Sequence, residues 1–492
     1  MRLLAPLLFG ILVSWVQLNS QSLISYENLG FISQAELEAE FGSEMKFGVS
    51  LYKVLYTTSD LDGMQVTASG LLVAPLEVGR LFPKMICHHG TVDSKQDVPS
   101  NQAGGHQLGL VFGGAGYITL MPDFLGLGES PGFHPYVHAD SEARASVDML
   151  LAVDGALLND LGTDYIANDQ LFLTGYSQGG HACMATHRLL QEEYSDEYPV
   201  TAAAPMSGPY DISGSMLDLT LLSGAPYFYP AYLGWSSLMI REAYGTYDNM
   251  DEIFQEPYAA EVDAFYQGDI TLSDLNNFMI DSLTADVGAP IAKFLMHDSI
   301  VDILETQPDH PFYQALRDND LYNWAPQCPT RIFYCQNDDQ VPYQNSIVAL
   351  DSMEVLGAPD IGALDVDPAA NHVQCVTPAV TLGILFFATY QDIGFWLNTS
   401  ETGKERSSLK LSPNPVARGG QIHLTSSELK MGPSSLTIWT NQGNQIWQKE
   451  LMVTDPSISV QLPDTLPPGV YFVEFRNQKD ALMARFVIQP GR

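Results

Sequence analysis

The sequence predicts two domains of different class: a large α/β domain on a mostly parallel sheet, interrupted by a helical insertion, and a small all-β sandwich after it. Three observations carry this. Short apolar runs alternate with longer helix-compatible segments as far as Pro205, which is the pattern of strands joined by crossover connections. That alternation stops from about Pro209 to Ala325, in a stretch rich in Tyr, Phe, Leu and Met, and resumes at Thr330. Beyond Asn398 the sequence turns polar, then alternates apolar and polar residues between turn signals, as antiparallel strands do.

At 492 residues the chain exceeds one ordinary compact core, so one large and one small domain are expected. A hydrophobic fraction of 46% with 16% charged residues is too apolar for extended disorder. The formal net charge of -36 leaves no basic surplus to neutralise phosphates, which argues against a nucleic-acid partner. Residues 1–20, Met1-Arg2 followed by the apolar run Leu3 to Val16 and then Gln-Leu-Asn-Ser, have the form of a secretory signal peptide. That run is too short to span a bilayer comfortably, and no stable transmembrane segment is expected elsewhere.

The α/β domain is assigned to residues 21–397. Residues 21 to about 65 are of mixed polarity, and strand-like runs begin after them. Gly70-Leu-Leu-Val-Ala, Lys84-Met-Ile-Cys-His and Tyr117-Ile-Thr-Leu-Met are short, apolar and bounded by Gly or Pro. Ser141 to Asp160 reads as a helix, with Asp140 or Ser141 as N-cap. The strand Gln170-Leu-Phe-Leu-Thr follows, then a Gly-rich turn and a helix from about Gly180 to Glu193. An insertion at about 209–325 between two late strands is most simply a cap, because loops at the carboxyl ends of the strands surround the ligand crevice. Residues 398–408 read as a linker and 409–492 as the sandwich, with strands at Gln421-Ile-His-Leu-Thr, Leu436-Thr-Ile-Trp-Thr, Ile458-Ser-Val-Gln-Leu and Val470-Tyr-Phe-Val-Glu-Phe.

Chemistry concentrates at Gly175-Tyr-Ser177-Gln-Gly179, between a strand and a helix. A nucleophile there stands on a sharp, strained turn, and small neighbours let strand and helix pass closely. Serine needs a base, and the base needs a third group to orient it. Asp338 leaves the strand Arg331-Ile-Phe-Tyr-Cys in the spacing Asp-x-x-Val-Pro, which resembles the acid loop of α/β-hydrolases and implies Asp338 as the acid, with the adjacent Asp339 as its rival. In that fold the histidine follows the acid along the chain; only His372 and His423 do so here, and since His423 falls in a tail strand, His372 is the expected base. An oxyanion hole requires two backbone N–H groups. Gln178, directly after the serine, and Thr91, after His88-His89-Gly90, are the candidates. His88, His89 and His181 are expected to be structural. Neither a metal nor a cofactor is called for, and the five cysteines lack metal-ligand spacing. Cys335 and Cys375, each three residues from Asp338 or His372, are either a disulfide or two buried thiols.

Taken with Asp123-Phe-Leu-Gly-Leu-Gly128, these motifs resemble α/β-hydrolases, and over roughly residues 45 to 395 they look like fungal and bacterial secretory lipases of the lipase A type. The resemblance implies hydrolysis of carboxylic esters beneath a cap, on a small-molecule or lipid ester. The segment His-His-Gly-Thr-Val-Asp is closer to a general esterase pattern. The same triad could serve a serine peptidase or aminopeptidase, and some relatives of this fold are non-catalytic binding proteins. The tail, through Leu411-Ser-Pro-Asn-Pro, Pro468-Gly-Val-Tyr-Phe-Val and Ala484-Arg-Phe-Val-Ile, resembles the C-terminal sorting domain of the Bacteroidetes type IX secretion system. That implies the secretion machinery as a partner, and release or attachment at the outer cell surface.

Overall fold

The computed structural model describes residues 22–395 and 410–489, apart from short stretches at 78, 162–164, 414–415, 427–430, 441–444, 455–456, 468 and 477–480. The expected leader at 1–20 and linker at 398–408 lie outside the described residues. The large domain is built on a sheet of β1 (Leu23–Ile32), β2 (Val49–Ser59), β3 (Gln65–Pro75), β4 (Arg80–His88), β5 (Ile118–Pro122), β6 (Ile166–Tyr176), β7 (Val200–Met206), β8 (Thr330–Tyr334), β9 (Ile361–Asp365) and β10 (Gly394–Phe395). Its order is β1-β2-β3-β5-β4-β6-β7-β8-β9, with β10 added antiparallel to the start of β4. The pairs β1·β2, β2·β3 and β3·β5 are antiparallel, and every neighbour from β5 to β9 is parallel. The expectation for residues 21 to 65 therefore needs correction, since two long strands form there. β1 is an edge strand and mostly exposed, so polar residues such as Glu27 and Asn28 dilute its pattern.

The helices are α1 (Gln34–Phe41), α2 (Gln107–Gly114), α3 (Ala139–Ala152), α4 (Leu158–Asp160), α5 (Gln178–Glu193), α6 (Ala231–Tyr244), α7 (Tyr258–Gln267), α8 (Leu272–Val287), α9 (Asp298–Thr306), α10 (Pro311–Asp318), α11 (Gln344–Val355) and α12 (His372–Ala388). One core joins α3, α5 and α11 to the sheet through residues such as Leu150, Met184 and Met353. On the opposite side Leu37 of α1, Phe112 of α2 and Phe387 of α12 pack with Met85, Phe172 and Phe333. Both faces of the parallel strands are thus covered, which is why their sequences read as apolar runs without alternation. The helix expected from Ser141 to Asp160 is α3, a wide turn at Val153–Leu157 and α4. Its N-cap is His138, whose ring accepts from the Ser141 N–H, and neither Asp140 nor Ser141 fills that position.

The insertion between β7 and β8 forms α6 to α10. Its core, with Trp235, Leu238, Phe265, Leu275 and Phe312, is continuous with Phe124, Leu127 and Tyr136 from loops of the sheet domain. It is therefore seated directly on the loops after β5. The tail contains β11 (Lys410–Ser412), β12 (Val416–Ala417), β13 (Gln421–Thr425), β14 (Gly432–Thr440), β15 (Gln445–Val453), β16 (Ser457–Gln461), β17 (Gly469–Arg476) and β18 (Ala481–Gln489). These make two sheets, β11-β13-β16 and β12-β18-β17-β14-β15, antiparallel except for the β12·β18 pair. Ile422, Leu424, Leu436, Ile438 and Phe475 are buried in their core. Among the described residues no helix is long and apolar enough to cross a membrane.

Candidate active site

Ser177 sits between the end of β6 and the first residue of α5, with φ 61° and ψ -124°. A non-glycine residue with positive φ is strained, and only tight packing holds it there. The surrounding glycines supply that packing. A Cβ on Gly175 would lie 2.1 Å from the Gly179 carbonyl oxygen, and one on Gly179 would lie 2.2 Å from that of His88. Strand, turn and the neighbouring β4 loop can approach this closely only without side chains at those positions.

Three side chains that the sequence places far apart meet here. His372 Nε2 is 2.8 Å from Ser177 Oγ, and His372 Nδ1 is 2.6 Å from Asp338 Oδ2. Asp338 Oδ1 accepts the backbone N–H groups of Gln340 and Val341, at 3.0 and 2.9 Å. This turn aims the other carboxylate oxygen at the imidazole. Asp339 does something different: its Oδ1 accepts the backbone N–H of His372 at 3.1 Å. His372 was expected in a loop, and the structure makes it the first residue of α12. Asn371 is the N-cap, and its side chain and that of Gln374 form a reciprocal capping box. The Tyr176 hydroxyl donates to the His372 carbonyl at 2.6 Å, giving the helix start a further anchor.

Cys335 and Cys375 form a disulfide with their Cα atoms 6.0 Å apart, so the end of β8 is tied to the first turn of α12. Cys87, Cys183 and Cys328 are buried free thiols. Of the oxyanion candidates, Gln178 opens α5, where the helix cannot use its N–H. Gly90 packs against Ser177, its Cβ position 3.7 Å from the serine Cβ, which brings the His88–Thr91 turn beside the hydroxyl. Thr91 Oγ1 lies 3.0 Å from the Tyr136 hydroxyl. His88 bonds to the Thr174 carbonyl and the Thr186 hydroxyl, and His89 to the carbonyls of Gly90 and Asp123, so both hold loops in place. Asp123 is fully buried and accepts from Ser69 and the Ser100 N–H.

A narrow cavity of about 70 Å³ opens on Ser177 and Gln178 and runs beneath the cap, walled by Met216, Leu221, Ile240, Phe312 and Leu316. Among the described residues lining it there is no Asp, Glu, Lys, Arg or His. Tyr227 and Tyr232 of the cap both bond to Gln340, next to the acid loop. Chemically, a serine hydroxyl bonded to an imidazole, itself backed by a buried carboxylate, can lose its proton as it attacks an electrophilic carbon. Sequence reasoning missed Glu142 and His134, which join Gln178 and His181 in a buried network under α5. Nothing in the sequence separates Glu142 from the solvated carboxylates of other helices.

Several solved structures resemble the chain. A putative hydrolase from Legionella pneumophila subsp. pneumophila is 27% identical with a TM-score of 0.66, covering 75% of this chain and 98% of its own. The rice cell wall degrading esterase LipA from Xanthomonas oryzae is 26% identical with a TM-score of 0.64, covering 75% and 95%. Candida antarctica lipase A in its closed state is 14% identical with a TM-score of 0.53, covering 72% and 78%, a likeness of fold alone. Residues 410–489 match the secretion system C-terminal sorting domain family. No curated protein sequence matches the chain. The large domain thus has the α/β-hydrolase fold of esterases and lipases. The tail is a sorting domain of the type IX kind, which indicates export with attachment at the cell surface or release.

Proposed function

We propose that this exported protein is a serine carboxylic-ester hydrolase acting through Ser177, His372 and Asp338. The observation that carries the reading is the unbroken hydrogen-bonded line from Asp338 through His372 to a serine held at φ 61° at the mouth of an apolar cavity. His372 takes the Ser177 proton as Oγ attacks the ester carbonyl, while Asp338 keeps Nδ1 protonated and stabilises the imidazolium. The N–H groups of Gln178 and Thr91 hold the oxyanion. His372 then passes its proton to the leaving alcohol, and a water activated by the same imidazole releases the acid from the acyl-enzyme.

The cavity favours an acyl chain over a peptide amine. An aminopeptidase needs an acidic group to hold the substrate ammonium, and no carboxylate is found among the described lining residues. The sheltered walls suit the acyl part of an ester, with the alcohol part towards solvent. The test is a parallel assay of p-nitrophenyl esters of increasing chain length and aminoacyl p-nitroanilides, with Ser177→Ala as control. Ester turnover lost in Ser177→Ala is expected; turnover of the anilides alone, or undiminished ester turnover in the variant, would overturn the reading.

A further inference from the structure

Beneath the first turn of α5 lies a buried polar chain that the reaction above does not use. His134 Nδ1 is 2.8 Å from the Leu125 carbonyl, and His134 Nε2 is 2.7 Å from Gln178 Nε2. The same Gln178 nitrogen is 2.8 Å from Glu142 Oε1. Glu142 Oε2 is 2.8 Å from His181 Nδ1, and His181 Nε2 is 3.0 Å from the Asn319 carbonyl. None of His134, Glu142, Gln178 and His181 is more than 2% exposed.

Donors and acceptors can be counted along this chain. Both ends are carbonyls, which only accept, so His134 carries its proton on Nδ1 and offers a lone pair at Nε2. Burial drives the His134 imidazole down to about 4, in keeping with that neutral form. Gln178 then spends both amide hydrogens, one on His134 and one on Glu142. Burial pushes the Glu142 carboxyl up, but His181 and Gln178 outweigh it and hold it below its ordinary value. An ionised Glu142 accepts from His181 Nδ1–H while His181 Nε2–H donates to Asn319, so the imidazole bears both protons. Turning the Gln178 amide over would set its oxygen against a lone pair and a carboxylate. As placed, that oxygen is buried without a hydrogen-bond partner among the described residues, an arrangement that costs free energy. The amide is therefore oriented by its neighbours and not by its own satisfaction.

Gln178 is also the residue whose backbone N–H opens α5 beside Ser177. Resting on the ester-hydrolase reading, we infer that Glu142, with His134 and His181, is a positioning residue that fixes Gln178 and so aims an oxyanion-hole donor. The cap touches the same chain twice. Trp235 Nε1 of α6 donates to the His134 carbonyl at 3.0 Å, and Asn319, which ends α10, accepts from His181 and bonds to the Ala139 N–H and the Tyr244 hydroxyl. Seating of the cap and alignment of the donor are thus linked through one hydrogen-bonded path.

The test uses the full exported chain, with active sites counted by a fluorophosphonate. Glu142→Leu keeps bulk and removes both acceptors; kcat for p-nitrophenyl butyrate should fall about tenfold with KM unchanged, a fraction of the roughly 10²–10³-fold lost when an oxyanion donor is deleted. A trifluoromethyl ketone, which becomes a tetrahedral oxyanion on Ser177, should weaken by the same factor. Glu142→Gln, whose carbonyl still accepts from Gln178, should recover most of the rate. Gln178→Ala leaves the Glu142–His181 pair intact, covers the case in which Glu142→Leu does not fold, and should show the same split. Turnover per counted site within about twofold of wild type, or a loss shared equally by KM, would overturn the proposal. Wild-type protein that takes no fluorophosphonate would overturn the hydrolase reading itself, and this inference with it.

Discussion

Replacing Asp338 and Asp339 separately by Asn should give very different enzymes, although the residues are adjacent and the change is identical. In Asp338→Asn the amide oxygen can keep the N–H bonds from Gln340 and Val341, which leaves the NH₂ facing His372 Nδ1. That group donates, so Nδ1 must become the acceptor and the imidazole proton moves to Nε2, the nitrogen 2.8 Å from Ser177 Oγ. A protonated Nε2 cannot take the serine proton. Loss of the required tautomer costs about 10⁴ in kcat, or about 5 kcal/mol of transition-state stabilisation. In Asp339→Asn the side-chain oxygen still accepts the His372 N–H. Only the charge assistance of one hydrogen bond is lost, about 1 kcal/mol and at most about fivefold in rate. Both variants would be assayed on p-nitrophenyl butyrate per fluorophosphonate-counted site. A larger loss at Asp339, or an Asp338→Asn enzyme within about tenfold of wild type, would refute the reasoning.

Further outcomes follow from the same geometry. Changing both Cys335 and Cys375 to Ser opens a loop spanned by a sequence separation of 40, for which chain entropy predicts a loss of about 4 kcal/mol; a calorimetric scan with unchanged Tm would contradict it. Gly179→Ala drives a methyl group to 2.2 Å from the His88 carbonyl oxygen and 2.7 Å from that of His89. It should cost at least about 3 kcal/mol or prevent folding, whereas Gly155→Ala, with nothing within 4 Å, should be tolerated; equal urea midpoints for the two would refute this. Burial lowers His187 to about 3, and its Nδ1 has no partner among the described residues. It stays neutral in the fold but takes a proton in the unfolded chain below its ordinary value, so stability falls as pH drops through the window from about 6.5 to 3. The decrease between pH 7 and 4.5 should be about 2.5 kcal/mol smaller in His187→Phe; an identical pH dependence in urea unfolding would count against it.

The juxtaposition of Ser177, Asp338 and His372 was legible because strand ends are marked by Gly and Pro and only two histidines follow Asp338. Adjacent aspartates at a strand end were not separable, since what distinguishes them is a turn. Asp338 receives the N–H groups two and three residues on, while Asp339 faces the start of α12. His372 reads as a loop residue from its polar neighbours, yet Asn371-x-x-Gln374 is a helix-start signature and marks the N-terminus of α12. β1 escaped because an exposed edge strand carries no apolar run, and β2, although largely buried, is broken up by Ser50, Lys53, Thr57 and Thr58. Glu142 was beyond reach: its role depends on α3 and α5 packing together, a contact that no local pattern encodes.

On the proposed mechanism Ser177 alone reacts as the nucleophile. The most direct measurement is to treat the exported protein with a fluorophosphonate and locate the adduct by peptide mass mapping, in wild type and in Ser177→Ala. A single stoichiometric adduct on Ser177, absent from the variant, is the expected result. An adduct on another serine, or none while ester turnover persists, would contradict it.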